Sequence, residues 1–168
     1  MTYRLAVTPG EPSGVGPELM YHLSKLDLKD TQLVIIASKE LIAQRIALFN
    51  SNHTESVKIT DYSKDNFVPQ TKGTLCVLDV PLAVPSVPGK LDKRNAKYVL
   101  DCLDIASDKS VSGEFSGIVT GPISKAVIAD TGLNFTGHTE YFQERTHTKK
   151  VVMMLGCKKF NVALATTH

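Results

Sequence analysis

The sequence has no tryptophan, only three cysteines and no long apolar run. Cys76, Cys102 and Cys157 are widely spaced and form no C-x-x-C pattern, which argues against a zinc or redox centre and predicts buried free thiols. No stretch approaches the roughly 20 apolar residues of a membrane span, and the first residues lack the apolar core of a signal peptide. The sequence therefore predicts a soluble cytoplasmic protein with no membrane partner.

The sequence also lacks a large excess of either positive or negative charge. Lysine and arginine number 19 against 17 acidic residues, a net charge of +2 that gives no general attraction to nucleic acid. We therefore expect no nucleic-acid partner. The 168 residues, 42% of them hydrophobic, are enough for one ordinary domain with a core.

Short apolar segments alternate with segments of helical spacing along most of the chain. This alternation predicts an α/β fold with a largely parallel sheet. The predicted strands are residues 4–7, 32–37, 57–60, 74–78 and 115–120, and the predicted helices begin at Pro17, after an N-cap at Ser38, at Asp92 and at Ile123. A short helix at 141–145 and two neighbouring strands, 151–155 and 161–165, complete the prediction.

Residues 81–89 carry three prolines, Pro81, Pro85 and Pro88. Proline restricts both itself and the residue before it to extended conformations, so this segment is expected to be an extended connector. It is also a candidate domain boundary.

Polar loops follow several of the predicted strands. In parallel sheets, ligands bind where the carboxyl ends of strands meet. Residues 8–16, 120–125, 136–140 and 166–168 are therefore expected to line one crevice.

The first of these loops reads TPGEPSGVGPE at residues 8–18. Three glycines between a strand and a helix suit anion binding by backbone amides. The spacing is neither G-x-G-x-x-G nor a Walker loop, so it identifies neither a dinucleotide site nor an NTPase. A plain glycine turn is the alternative.

A dense polar cluster follows at Thr136-Gly137-His138-Thr139-Glu140. The threonine hydroxyls and the imidazole can hold a carboxylate or a phosphate through charge-assisted hydrogen bonds. The alternative is an ordinary surface loop, with Glu140 stabilising the start of the next helix rather than acting in catalysis.

Two other residues have open alternatives, and a pair of aspartates is given a single interpretation. His168 follows a predicted strand and is either a metal or substrate ligand or a frayed terminal residue. Lys125 can reach an anion from the start of a helix, or it can be solvent-exposed. Asp101 and Asp104 are interpreted as a solvated helix face rather than a catalytic pair.

Five segments match a known pattern in order: TPGEPSGVGPE (8–18), GEFSGIVTGPISKAVI (113–128), FTGHTEYFQERT (135–146), VVMML (151–155) and VALATTH (162–168). With these segments the chain resembles the N-terminal portion of the 4-hydroxythreonine-4-phosphate dehydrogenase family of pyridoxal phosphate biosynthesis. The resemblance implies NAD- or NADP-dependent oxidation of a phosphorylated hydroxy amino acid, followed by loss of carbon dioxide, with a divalent metal (Zn, Mg or Co).

The resemblance also implies site residues and an architecture. His138 and Thr139 match substrate-binding positions, and His168 matches the first of three metal-binding histidines, the other two being absent from this sequence. The implied fold is the two-lobed isocitrate/isopropylmalate dehydrogenase architecture, here truncated, with a lobe boundary near residues 80–115. Members of the family are homodimers with interfacial active sites.

Two alternatives stay open at this point. A dehydrogenase acting on a four-carbon sugar-acid 4-phosphate would use the same alcohol, phosphate and carboxylate chemistry. The chain could also be a folded fragment that binds ligand or another chain without turnover, because one histidine cannot provide the three or four ligands of a catalytic divalent ion.

Overall fold

A five-stranded sheet lies at the centre of the computed structural model, which describes residues 1–50, 56–133 and 135–165. All four strand pairings in this sheet are parallel, and the order is β3-β4-β2-β1-β5. The strands are β1 (Tyr3–Thr8), β2 (Thr31–Ala37), β3 (Lys58–Asp61), β4 (Thr74–Asp79) and β5 (Gly117–Thr120). The predicted parallel α/β fold is confirmed.

Helices connect the strands and cover the sheet. They are α1 (Gly16–Leu23), α2 (Lys39–Asn50), α3 (Ala96–Val111, preceded by a 3₁₀ turn at Lys93–Asn95), α4 (Lys125–Ala129) and α5 (His138–Arg145). The predicted N-cap at Ser38 is confirmed, since its hydroxyl accepts a hydrogen bond from the amide of Leu41 at 3.2 Å. No helix in the described part of the chain combines the length and apolarity that crossing a bilayer requires.

The two faces of the sheet bury separate cores. Val34 and Ile36 of β2 pack with α3, whereas Leu33 and Ile35 pack with α1 and α2. Successive side chains of a strand point to opposite faces, so a strand buried on both sides is apolar throughout. This explains why β2 reads as a continuous apolar run.

The chain leaves the adjacent strands β1 and β5 toward opposite faces of the sheet. Helix α1, which follows β1, packs in one core through Met20, and α4, which follows β5, packs in the other through Ile128. The two strands are paired up to Thr8 and Thr120. Connections that diverge from adjacent parallel strands open a crevice at the carboxyl edge, and this crevice positions the candidate site.

The proline-containing connector is held to the rest of the molecule by buried polar groups. The side-chain oxygen of Asn95 accepts from the amides of Ala83 and Val84, both at 3.1 Å, and its nitrogen donates to the carbonyl of Val84 at 3.0 Å. The amide of Gly89 donates to the carbonyl of Ser13 at 2.8 Å. The connector therefore contacts the glycine loop, and a lobe boundary near residues 80–115 stays a prediction.

An antiparallel hairpin follows the helices. It consists of β6 (Met154–Gly156) and β7 (Asn161–Ala163), which are neighbours as predicted but shorter, and every residue in both strands is exposed. Cys157 at its turn is also exposed, so the prediction of a buried thiol is wrong there. It is right for Cys102, and Cys76 is partly buried.

Helix α5 begins earlier than predicted. The expected start at Tyr141 is wrong, because His138, Thr139 and Glu140 already form the first helical turn. Gly137 is extended, and its carbonyl accepts the first helical hydrogen bond from the amide of Tyr141 at 3.0 Å. Glu140 favours this start, since a carboxylate in the first turn complements the helix dipole. The polar cluster is therefore a helix N-terminus rather than a loop.

Candidate functional site

The loops after β1 and β5 touch each other through their backbones. A Cβ atom on Gly121 would lie 2.2 Å from the carbonyl oxygen of Pro9, and one on Gly10 would lie 2.2 Å from that of Pro122. The amide of Glu11 also donates to the carbonyl of Pro122 at 2.9 Å. The glycines thus permit close loop–loop contact. This supports the plain-turn interpretation of the glycine loop over the anion-binding one.

Two acidic residues of the glycine loop argue further against an anion there. The buried side chain of Glu11 folds back on the loop, where Oε1 accepts from the amide and hydroxyl of Ser13 at 3.1 and 2.6 Å. Glu18 occupies the first turn of α1 and already complements the dipole of that helix. These carboxylates disfavour an anion at the glycine loop, which follows the carboxyl end of β1 and which we call the floor of the crevice.

A buried arginine lies behind this floor. Nη2 of Arg45 donates to the carbonyl of Pro12 and to the hydroxyl of Ser86, both at 3.0 Å, which links α2, the glycine loop and the connector. Burial lowers the pKa of Arg45, and the nearby charge of Glu18 opposes that shift. Arg45 was not predicted as a functional residue; its only signal in the sequence is a cation on the apolar stripe of an amphipathic helix.

His138 lies half-buried at the start of α5. Its ring packs edge-on against Phe135, with centroids 6.0 Å apart, and stacks on Phe142 at 6.2 Å. Nε2 is buried and has no hydrogen-bond partner among the described residues. Burial lowers the pKa of His138, and the positive charge of Lys125 lowers it further. The lowered pKa favours the neutral imidazole at pH 7.

Lys125 and Glu140 converge on the same point. A Cβ atom on Gly137 would lie 3.5 Å from Nζ of Lys125 and 2.7 Å from Oε2 of Glu140. Lys125 is exposed at the first position of α4, and Thr139 is half-buried beside His138. The structure thus brings Lys125, His138, Thr139 and Glu140 together across the gap between α4 and α5.

Other predicted site residues stand apart from this group. His168, the predicted metal ligand, lies outside the described residues. Asp101 pairs with Lys97 at 2.6 Å on the exposed face of α3, as predicted. For Asp104 the prediction of a solvated face is wrong, because its carboxylate accepts a hydrogen bond from the hydroxyl of Tyr141. Within the described residues, no group of three or more His, Cys, Asp or Glu side chains could hold a metal ion.

This arrangement suits a small anionic, polar ligand. Lys125 provides a positive charge, the α5 N-terminus provides unpaired backbone amides, and Thr139 and neutral His138 provide hydrogen-bonding groups. The carboxylate of Glu140 can accept from a cationic group on the same molecule. A phosphorylated amino acid carries all of the complementary groups.

Curated relatives are similar to this chain in sequence over nearly its whole length. A 4-hydroxythreonine-4-phosphate dehydrogenase of Chromobacterium violaceum is 50% identical over 164 residues, which is 98% of this chain and 48% of that protein. One of Colwellia psychrerythraea is 46% identical over 171 residues, covering all of this chain and 50% of the relative. The chain therefore spans about half the length of the curated relatives it matches.

Solved structures and a family-level comparison agree with these relatives. The crystal structure of 4-hydroxythreonine-4-phosphate dehydrogenase from Klebsiella pneumoniae superposes with a TM-score of 0.85 at 24% identity, over 97% of this chain and 49% of that one. A putative enzyme of the same name from Salmonella typhimurium gives 0.82 at 28% identity, over 96% and 50%. The sequence model of the pyridoxal phosphate biosynthetic protein PdxA matches residues 29–168. Because that match covers most of the sequence, the chain belongs to the PdxA family.

Proposed function

We propose that this chain is part of an enzyme that oxidises 4-hydroxythreonine-4-phosphate with NAD or NADP and releases carbon dioxide to give an amino-ketone phosphate. Membership of the PdxA family supports the reaction. The observation that carries the proposal is the meeting of Lys125, His138 and Thr139 beyond the carboxyl ends of β1 and β5. That edge is where α/β sheets bind their ligands.

The proposed role of His138 and Thr139 is to hold and orient the substrate. Neutral His138 has one buried nitrogen to offer, and the charge of Lys125 attracts an anionic end of the substrate. A hydrogen bond to a charged group contributes about 1.5–3 kcal/mol. Fixing one end of the substrate in this way orients the reacting C–H bond toward the nicotinamide, which lowers the entropy cost of hydride transfer.

A divalent ion (Zn, Mg or Co) belongs to the proposal, with His168 as one ligand. The described residues do not fit such an ion on their own, since they contain no cluster of three ligating side chains and a catalytic ion needs three or four. We therefore propose that the 168-residue chain alone is inactive. The missing ligands would come from a second lobe or a partner subunit of a cytoplasmic, isocitrate dehydrogenase-like homodimer.

The assay is NADH or NADPH formation by the full-length protein with 4-hydroxythreonine-4-phosphate and a divalent metal. His138→Ala and Thr139→Val are expected to raise KM about 10- to 100-fold, which corresponds to about 1.4–2.8 kcal/mol of lost binding. His22→Ala is the control, because His22 is exposed on α1, which covers the other face of the sheet. No reduced cofactor with the unmodified protein, or unchanged KM in both variants, would contradict the proposal.

A dehydrogenase of a four-carbon sugar-acid 4-phosphate is the second candidate, since it presents the same phosphate, hydroxyl and carboxylate. Glu140 beside Lys125 favours the amino acid, because its carboxylate can pair with an ammonium group that the sugar acid lacks. Competition between the two substrates for the full-length protein separates them. A lower KM for the sugar acid, unaffected by Glu140→Gln, would favour the second candidate.

A further inference from the structure

Helix α5 carries both proposed substrate ligands, yet none of its residues is buried. His138 and Thr139 occupy its first turn, and Tyr141 and Phe142 pack against the core while only half-buried. Apolar packing therefore supplies little to fix the direction of this helix. Its orientation has to depend on polar contacts.

Two carboxylates of α3 face two side chains of α5. Asp104 accepts from the hydroxyl of Tyr141 and lies 3.1 Å from Nη1 of Arg145. Asp108 accepts from Nε and Nη2 of the same guanidinium at 2.9 and 2.7 Å. Positions i and i+4 share one face of a helix, so both helices present their two groups at matching spacing. We call these four side chains the α3–α5 clamp.

The clamp is connected to His138 through contacts of the Phe135 ring, which is edge-on to His138 and tilted against Tyr141. Tyr141 follows His138 by about one helical turn. The ring of Phe135 lies 5.4 Å from that of Tyr141 and 6.0 Å from that of His138, centroid to centroid. A rotation of α5 that releases Tyr141 would therefore also displace the imidazole.

The strength of the clamp suits positioning better than global stability. The side chains of Arg145, Asp104 and Asp108 are 37%, 29% and 60% exposed, and ion pairs at such exposed positions contribute little to the free energy of unfolding. Such a contribution is small beside two buried cores. It is large enough to select one orientation for a helix without buried anchors.

The clamp is fully formed at neutral pH. The hydrogen bond from Arg145 lowers the pKa of Asp108, which therefore stays ionised. Burial, followed by the hydrogen bond to Asp104, raises the pKa of Tyr141, which therefore remains a donor.

We propose that Asp104 and Asp108 are positioning residues for substrate binding: acting through Tyr141 and Arg145, they set where α5 presents His138 and Thr139. This inference rests on the proposed function for the identity of the substrate. The claim that the clamp orders α5 does not depend on which reaction the enzyme catalyses.

The test compares Asp104→Ala and Asp108→Asn with the control Asp101→Asn in the full-length protein. Asp101 lies on the same helix and pairs only with Lys97 among the described residues. Amide hydrogen exchange in α5 is expected to accelerate up to about fivefold in the two clamp variants, with β1 to β5 unchanged. KM for 4-hydroxythreonine-4-phosphate is expected to rise at least about fivefold with kcat within about twofold, because small misplacements of binding groups are costly. Asp108→Glu, which keeps a carboxylate for Arg145, should retain much of both.

Several outcomes would overturn the inference. Unchanged amide exchange in α5 would show that the clamp does not order this helix. Faster exchange with unchanged KM would show that the clamp has no role in substrate binding. Equal acceleration of amide exchange in α5 and in the sheet would show that the clamp contributes to global stability and not to positioning. If the unmodified protein oxidises no substrate, the proposed function fails separately. Binding of inorganic phosphate, measured through the amide NMR signals of His138 and Thr139, is then the test. Weaker binding in Asp104→Ala than in Asp101→Asn supports positioning, and equal binding refutes it.

Discussion

The charge state of His138 depends on two neighbours that act in the same direction. Burial is the larger cause of its lowered pKa, and the charge of Lys125 is the smaller. Lys125→Met is therefore expected to raise the pKa of His138 without reaching the ordinary value of 6.5, because burial remains. NMR titration of the imidazole measures this. Lys25→Met, just beyond the end of α1, is the control and should leave the value unchanged. A His138 pKa that is equal in both variants would show that Lys125 lies too far away.

Two glycines at opposite ends of β5 differ sharply in the space around them. A Cβ atom on Gly121 would meet two backbone oxygens, of Pro9 at 2.2 Å and of Thr8 at 3.0 Å, whereas one on Gly117 would meet only Leu5 Cδ2 at 3.6 Å. Gly121→Ala should therefore lower the free energy of unfolding by at least about 2 kcal/mol through overpacking, and Gly117→Ala by less than about 0.5 kcal/mol. Urea unfolding checks both, and similar losses would mean that the two loops separate easily.

At the scale of elements, Glu114 joins three parts of the chain. Its side chain is only 6% exposed, and Oε1 accepts from the hydroxyl of Tyr62, beyond β3, at 2.7 Å and from Lys109 of α3 at 2.8 Å. Burial alone would raise the pKa of Glu114, but the hydrogen bonds from Lys109 and Tyr62 outweigh it and hold the pKa below its ordinary value of 4.5. Folding therefore favours the ionised form.

Because folding lowers the pKa of Glu114, the direction of the pH dependence can be predicted. A carboxyl group whose pKa is lowered by folding stabilises the protein above its unfolded pKa, and that stabilisation is lost as the pH falls through the folded value. Glu114→Gln should cost about 2 kcal/mol of unfolding free energy at pH 7, and the difference from the unmodified chain should shrink below about pH 4. Asp101→Asn, which breaks an exposed pair, should cost less than about 0.5 kcal/mol. A Glu114→Gln penalty that persists undiminished at pH 3 would assign it to packing instead of charge.

Local signals explain which elements the sequence could predict. The apolar run 32–37 and the N-cap at Ser38 act within one element, and both are found as expected. The orientation of α5 on the body depends on a contact between Tyr141 and Asp104, 37 residues apart, so no local pattern indicates it. The same holds for Arg45, whose two partners are 33 and 41 residues away. His138 and Thr139 are predicted ligands through their motif alone, and that motif does not indicate the rings of Phe135 and Phe142 that pack against His138.

At the scale of the whole molecule, the hairpin contributes little to the two cores. Met154, Leu155 and Phe160 are 62%, 62% and 66% exposed, whereas Phe135, just before α5, is 7% exposed and belongs to the core with α3. A chain ending at residue 149 should therefore unfold cooperatively within about 3 °C of the 168-residue chain, since less than about 1 kcal/mol is lost. It should also self-associate less, because the exposed apolar strands are gone.

A chain ending at residue 133 is the matched comparison for this truncation. It also loses Phe135 and the half-buried Tyr141 and Phe142, so its melting temperature should fall by about 8 °C or more, given that burying one large aromatic side chain stabilises by about 1.5–3 kcal/mol. Calorimetry with light scattering measures both truncations. Equal melting temperatures for the two would mean that α5 does not pack on the body. A large loss on removing the hairpin alone would mean that its strands are covered in solution, and the exposed apolar side chains would then mark a contact between copies of the chain.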